Sequence, residues 1–452
     1  MDLLSLFSPE ELSAWTDKRF VGNMMFLTGK ILSLGFYITV LWAGLHVVLR
    51  DKCQTMADWL YLRPGLQAAG QRLPVLRHLV NIPERMAAGS EGIGNNRWLV
   101  DALFPTLFTL FWVVLTLPMN FYSSYIRPHA VGMSNLALSQ WFIDVGKSLG
   151  FTLLALSLLG LSLFSLARRL PRTWWLWLWG AVVGTLVIWN MLAPYRAMIY
   201  NDFTPLPQGE LRTRIETLVK KAGFELEQIQ VVNTSLRSKA TVAYIMGKGP
   251  TRTVVLSDNL LNEYPTREVL FTVAHEVGHE LNAHETRAWL SLTLAAFLFL
   301  GMIQLTIRRG PRWKKLRIRP GVDPAIWPVI QLIFFFLFTL NIPVTRTLSR
   351  AEEWEADKSG LELTRDPVAY VSLMARLTRQ NKADPHPPWF VRKVLGSHPS
   401  LKERMEYGLE WARRHNIPIG LGALPLPAPK TQLIKTDADQ NHSKEEARMI
   451  PS

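Results

Sequence analysis

Cysteine is almost absent. Cys53 is the only one in the chain, which excludes an internal disulfide framework and any zinc knuckle built on thiolates. Charge is scarce as well. Asp, Glu, Lys and Arg make up 19% of the residues and hydrophobic types 48%, whereas soluble domains average about 25% charged. Mean hydropathy is +0.10. These values exclude a disordered chain and argue against a wholly water-soluble enzyme. Acidic residues are outnumbered by basic ones, 36 to 50, so the formal charge is +14. A basic excess suits either nucleic acid or a membrane surface, and its placement decides between them.

What the chain has in quantity is long runs without charge. Six stretches, 31–49, 102–126, 148–167, 173–195, 289–307 and 325–344, contain no Asp, Glu, Lys or Arg. A helix needs about 20 apolar residues to cross a bilayer, and buried helices of soluble proteins usually keep a polar stripe. Six such runs predict a multi-pass membrane protein, mainly α. Trp174, Trp175, Trp189, Tyr195 and Trp289 stand near span ends, where amphipathic rings anchor at the water interface. The basic residues gather there too. Arg168, Arg169 and Arg172 occupy one short loop, and seven Lys or Arg lie between Arg308 and Arg319. Placed like this they fix topology rather than bind nucleic acid.

The spans divide the chain. Residues 1–195 form an N-terminal membrane region with four spans, and 288–344 hold two more. The water-soluble halves, 196–287 and 345–423, fall on one face, because an even number of crossings separates them. The first carries an amphipathic helix with Leu211, Ile215, Leu218 and Val219 on one stripe. Strand-like runs follow at 229–232, 240–246 and 253–256, then a helix from Pro265. The second soluble half reads as helical. Residues 51–100 show no span, and 424–452 read as a disordered tail.

The strongest chemical signal is His275-Glu276-Val277-Gly278-His279. Four-residue spacing puts both imidazoles on one helical face, able to grip one ion, with Glu276 beside it. Zinc suits two imidazoles and a carboxylate with a position left for water. His284 is a candidate third ligand but lies off the His275/His279 stripe. The acidic run Glu352-Glu353-Trp354-Glu355-Ala356-Asp357 supplies a better one. Glu353 and Asp357 share a face, so Glu353 can coordinate while Asp357 accepts a hydrogen bond from a ligand imidazole; Glu352 and Glu355 are the rivals.

Taken in order, LPMNFYSSY (117–125), APYRAMIYNDFTPLPQGEL (193–211), SLRSKATVAYIMG (235–247), TRTVVLSDNLL (251–261), HEVGHELNAH (275–284), EEWEAD (352–357) and GSHPSLKER (396–404) resemble the type I CAAX prenyl endopeptidase family, the integral-membrane gluzincin metallopeptidases. The resemblance implies one zinc ion per chain on His275, His279 and Glu353, with Glu276 as general base and acid. It also implies that Asp357 orients a ligand, that Arg404 pairs with Asp357, and that His398 faces the substrate carbonyl or developing oxyanion. The family's helix carries a His at the position of His284 as well. Its helices enclose a chamber within the membrane, around a zinc-peptidase domain with a small β-sheet.

Two features depart from the family. The substrate-edge strand usually reads Asn-Ala-Tyr, and here it is Val242-Ala243-Tyr244. The spans number six rather than the seven usual in eukaryotic members.

The expected function is therefore a membrane-embedded zinc metalloendopeptidase acting on membrane-associated or C-terminally prenylated proteins. Its partners would be a peptide or protein substrate and the lipid bilayer, with no nucleic acid. The alternatives are a quality-control protease indifferent to lipid and a transporter or binding protein with structural zinc. Transporters tend to carry ionisable residues within spans, and these six carry none apart from His46. The expected location is a bacterial inner membrane. Counting Lys and Arg in the short loops puts the zinc domain on the non-cytoplasmic side, although eukaryotic family members act on cytosolic substrates.

Overall fold

The apolar runs fold as long helices that continue without interruption into the peptidase motifs. A computed structural model describes residues 3–61, 96–192, 201–309 and 313–419. Helix α1, Pro9–Trp42, begins at a capping box in which Ser8 and Glu11 satisfy each other's backbone N–H, with Pro9 in the first turn. The chain turns at Gly44, whose φ of 69° is the left-handed conformation glycine tolerates. It continues as α2, Leu45–Tyr61. The run 31–49, expected as one span, is therefore split. Apolarity continues across the corner, so hydropathy alone cannot see it. α1 also reaches back 22 residues before Ile31, through Lys30, Arg19 and Lys18, so a charge does lie on a bilayer-length helix.

Helix α3, Arg97–Phe121, holds the run 102–126 and passes through a π turn at Tyr122–Ile126. α4 is Leu138–Arg169 and α5 is Trp174–Met191. Gly160 of α4 lets α3 approach closely. A Cβ there would lie 2.4 Å from the Asp101 carbonyl. Five helices rather than six are long and apolar enough to cross a bilayer; α5, in the run 173–195, is shorter. Residues 193–195, most of 51–100 and the tail 424–452 lie outside the described residues.

The first soluble half opens with β1, Phe203–Pro205, and α6, Glu210–Lys221, which buries Ile215 and Val219. Strands β2, Gln228–Val232, β3, Ala243–Met246, and β4, Thr253–Ser257, complete a four-stranded sheet ordered β1-β2-β4-β3. β2 and β4 run parallel, and β1 and β3 are antiparallel to their neighbours. β4 is buried throughout. β3 is an edge strand.

Helix α7, Thr266–Leu281, carries the HExxH motif and packs on the sheet and on α9. A turn at Ala283, φ 53°, leads directly into the membrane helix α8, His284–Arg309. α9, Trp327–Thr364, joins the last apolar run to the acidic motif in one helix of 38 residues. The divisions expected at 287/288 and 344/345 thus fall inside continuous helices. α10, Pro367–Gln380, and α11, Leu401–Arg414, close the domain.

Two apolar cores result. One holds the sheet, α6, α7 and α10, and takes in Leu3, Phe7 and Trp15 from the N-terminal end. The other fills the far end of the bundle, around Phe36, Phe104, Phe164, Trp174 and Trp327. At that end Arg168 pairs with buried Asp101, and Arg50 with buried Asp323 at 2.8 Å.

Candidate metal centre

The site forms where α7 crosses α9, and a glycine sets how close they come. A Cβ on Gly278 would lie 2.8 Å from the Ala356 carbonyl oxygen and 2.9 Å from its Cα. With no side chain at Gly278, His275 and His279 on α7 stand directly opposite Glu353 and Asp357 on α9.

Ligand-type atoms of His275, His279 and Glu353 all lie within 4.8 Å of one another. The two Nε2 atoms are 3.2 Å apart. His275 Nε2 is 3.5 Å from Glu353 Oε2, and His279 Nε2 is 3.8 Å from Oε1. Metal bonds of about 2.0–2.2 Å in tetrahedral array give edges near these lengths. The imidazoles face each other through nitrogens that cannot both donate, and buried Glu353 Oε2 accepts no well-aligned hydrogen bond. The donor set therefore fits a single divalent ion. Of the acidic run, Glu353 joins this cluster; Glu352 and Glu355 do not.

Each imidazole is held from behind. His275 Nδ1 is 3.0 Å from Asp357 Oδ1. Asp357 is fully buried and receives Arg404 Nε at 2.8 Å, Arg404 Nη2 at 2.5 Å and the Tyr370 hydroxyl at 2.7 Å. His279 Nδ1 is 2.8 Å from Nδ1 of buried His284, whose Nε2 meets Glu355 at 2.9 Å, where Arg287 also donates. His284 thus stands behind His279 rather than inside the cluster. Glu355, a rival ligand in the sequence, instead anchors this second chain. Tyr370 carries no sequence signal beyond being an aromatic residue in an amphipathic helix. Gly278 was in view inside the HExxH motif, but its role needed the position of α9.

The electrostatics follow from burial. Glu276 is pushed up to about 7, first by loss of water and further by Glu353, against the pull of His275. His279 is pushed down to about 4 by burial and by His275, so it is neutral at pH 7. Burial pulls His275 down too, but the Asp357 carboxylate outweighs this and the net shift is upward. Arg404 is likewise held above its usual range by Asp357 despite its burial.

These groups line a cleft of about 740 Å³. His398 stands at its edge, 60% exposed, with Nδ1 3.0 Å from Glu353 Oε2. Val242 and Ala243 of the β3 edge line the cleft, and Tyr244 pairs with Val255 on β4. Ser257 fastens Val242 from the β4 side through both its backbone and its hydroxyl.

Residues 205–412 match the family profile described as peptidase family M48, and 69–198 match that of the CAAX prenyl protease N-terminal, five membrane helices. The uncharacterized metalloprotease YhfN of Bacillus subtilis is 28% identical, over 69% of this chain and 74% of its own length. CAAX prenyl protease 1 of Saccharomyces cerevisiae is 28% identical over 65% and 68%, and the Homo sapiens homolog 26% over 72% and 77%. The crystal structure of S. mikatae Ste24p superposes with a TM-score of 0.74 at 19% identity, covering 90% of this chain and 91% of that one. At that identity the superposition speaks to the fold.

Proposed function

The chain belongs to peptidase family M48, among relatives of the CAAX prenyl proteases, and from that premise we propose that it is a zinc endopeptidase whose ion is held by His275, His279 and Glu353. That it is a membrane metalloprotease follows from the family, and this removes the transporter alternative. The observation that supports the ligand set is the convergence of three donors, two of them held by buried partners at Nδ1.

A bound zinc ion would supply Lewis acidity toward the scissile carbonyl and toward water. The rest falls to the chain. Glu276, raised to about 7, takes a proton from water and returns it to the leaving amine, as suits a group titrating near the working pH. His398 turns from Glu353 to donate to the carbonyl oxygen as negative charge develops there. An extended substrate adds to the free edge of β3 and pairs with the backbone of Val242 to Tyr244. Asp357 and Arg404 hold His275 in place, and His284 holds His279.

The substrates are membrane-associated or C-terminally prenylated proteins, a reading supported by the helices that continue from both peptidase motifs into the bilayer. The protein resides in a bacterial inner membrane, and the Arg-rich loops put the zinc domain on the non-cytoplasmic face. A reporter fused after residue 424 and active only in the cytoplasm would reverse that orientation.

Cleavage tests the function. The purified protein in lipid nanodiscs should cut a farnesylated peptide, stop when a chelator removes the metal and resume when zinc is added. Equal cutting of the unlipidated peptide would favour the quality-control reading. Cleavage indifferent to chelator would overturn the zinc assignment.

A further inference from the structure

The two family matches begin at residues 69 and 205, yet a segment before both of them builds one wall of the cleft. Beyond the face of α10 that carries Leu373, Met374 and Leu377, the cleft is lined by Asn381 and Asp384 in the loop that follows. That loop turns at Lys382 with φ 46°, a left-handed conformation costing a non-glycine residue about 1–2 kcal/mol. It needs outside ties to hold its shape, and the first turns of α1 supply them.

Asp384 forms an ion pair with Arg19, the two side chains 10% and 19% exposed, and accepts a hydrogen bond from the Thr16 hydroxyl at 3.3 Å. Lys18 donates to the Asn381 carbonyl, and Arg127 braces Lys18 by donating to its carbonyl at 2.6 Å. From the other side Lys382 donates to the Val131 carbonyl. Upstream, Arg379 donates to the Leu6 carbonyl while Phe7 and Trp15 pack into the core that α10 shares. None of these contacts involves His275, His279, Glu353 or the groups behind them.

We propose that the N-terminal end of α1 is part of the substrate cleft, with Arg19 and Asp384 as positioning residues that fix the Asn381–Asp384 wall against which the peptide lies. The proposal rests on the peptidase reading. Because the clasp stands apart from the metal ligands, it acts on substrate binding and not on the chemical step. Loosening it lets the wall adopt other conformations, and substrate must then select the competent one, which raises KM in proportion.

Four variants test this in nanodiscs with the farnesylated peptide: Arg19→Gln, Arg19→Lys, Asp384→Asn and the reversed pair Arg19→Asp with Asp384→Arg. Arg19→Gln and Asp384→Asn should each raise KM about tenfold, the worth of one charge-assisted contact. They should leave kcat within about twofold and bound zinc unchanged. Arg19→Lys should stay near wild type, and the reversed pair should regain most of the lost affinity. The same substitutions in a Glu276→Gln background should weaken binding of a fluorescent copy of the peptide by the same factor. That readout needs no turnover, so it separates a failure of this inference from a failure of the peptidase reading. Unchanged KM and peptide affinity in both single variants would overturn the proposal. So would loss of zinc and kcat alongside KM without recovery in the reversed pair, which would mark the clasp as a folding contact only.

Discussion

Replacing Gly278 by alanine should separate the metal site from the stability of the fold. The added Cβ would lie 2.8 Å from the Ala356 carbonyl oxygen, 2.9 Å from its Cα and 3.0 Å from the Ser359 Cβ. The first two are backbone atoms and cannot rotate away. Restoring ordinary carbon contacts of about 3.5–4.0 Å requires α7 and α9 to part by roughly 0.5–1 Å. The fold would tolerate this. Overpacking costs about 1–3 kcal/mol, and exchanging glycine for alanine inside a helix returns about 1 kcal/mol. The metal site would not, because coordination distances tolerate only about ±0.2 Å and the shift separates Glu353 from both imidazoles. Zinc affinity should fall at least tenfold, in the range of about 10–100-fold seen when supporting groups are lost, while the melting temperature drops by a few degrees. Competitive titration against a chromophoric chelator reads the first, and thermal unfolding the second. Gly180→Ala is the control, since nothing lies within 4 Å of a Cβ there. Zinc affinity within twofold of wild type in Gly278→Ala would refute the claim that helix spacing sets the site.

Glu353→Ala should abolish stoichiometric zinc, whereas Glu355→Ala should retain it and cost affinity only through the freed His284; metal analysis that ranks them the other way would move the third ligand. Arg404→Ala leaves the Asp357 carboxylate buried with one charged partner fewer, at a cost of about 3–5 kcal/mol, so a lower melting temperature and weaker zinc binding should appear together. Unchanged stability there would remove Arg404 from its place behind His275. Tyr370→Phe deletes one hydroxyl donor to Asp357 and should cost about 1–2 kcal/mol of stability, read by denaturant unfolding, with zinc still bound; a loss above about 4 kcal/mol would mean that Tyr370 supports more than Asp357.

What the sequence disclosed was whatever depends on side-chain type at fixed spacing. His275, Glu276 and His279 are legible because a helix turns their four-residue spacing into one face. The strands β2 and β4 are legible because apolar, β-branched residues crowd them. The acidic run could be narrowed to four carboxylates but not resolved, since Glu352, Glu353, Glu355 and Asp357 differ only in which way α9 faces. Asp357, fully buried under Arg404 and Tyr370, and Glu355, paired with His284 and Arg287, took opposite sides of that helix. Three further features could not be read. The Gly44 corner lies inside unbroken apolarity. The start of α1 is amphipathic and docks on the soluble domain, so a rule tuned to uncharged runs passes over it. β1 is three residues long and contains Pro205, and reads as loop until its pairing with β2 is seen.

The account's central claim is that His275, His279 and Glu353 hold one zinc ion while Glu276 carries the proton. Glu276→Gln tests it most directly, with bound zinc and peptide cleavage measured on the same purified sample. The account predicts one zinc per chain and a loss of cleavage of at least about 10²-fold, the scale of a missing general base. Cleavage near that of wild type with zinc in place would contradict it.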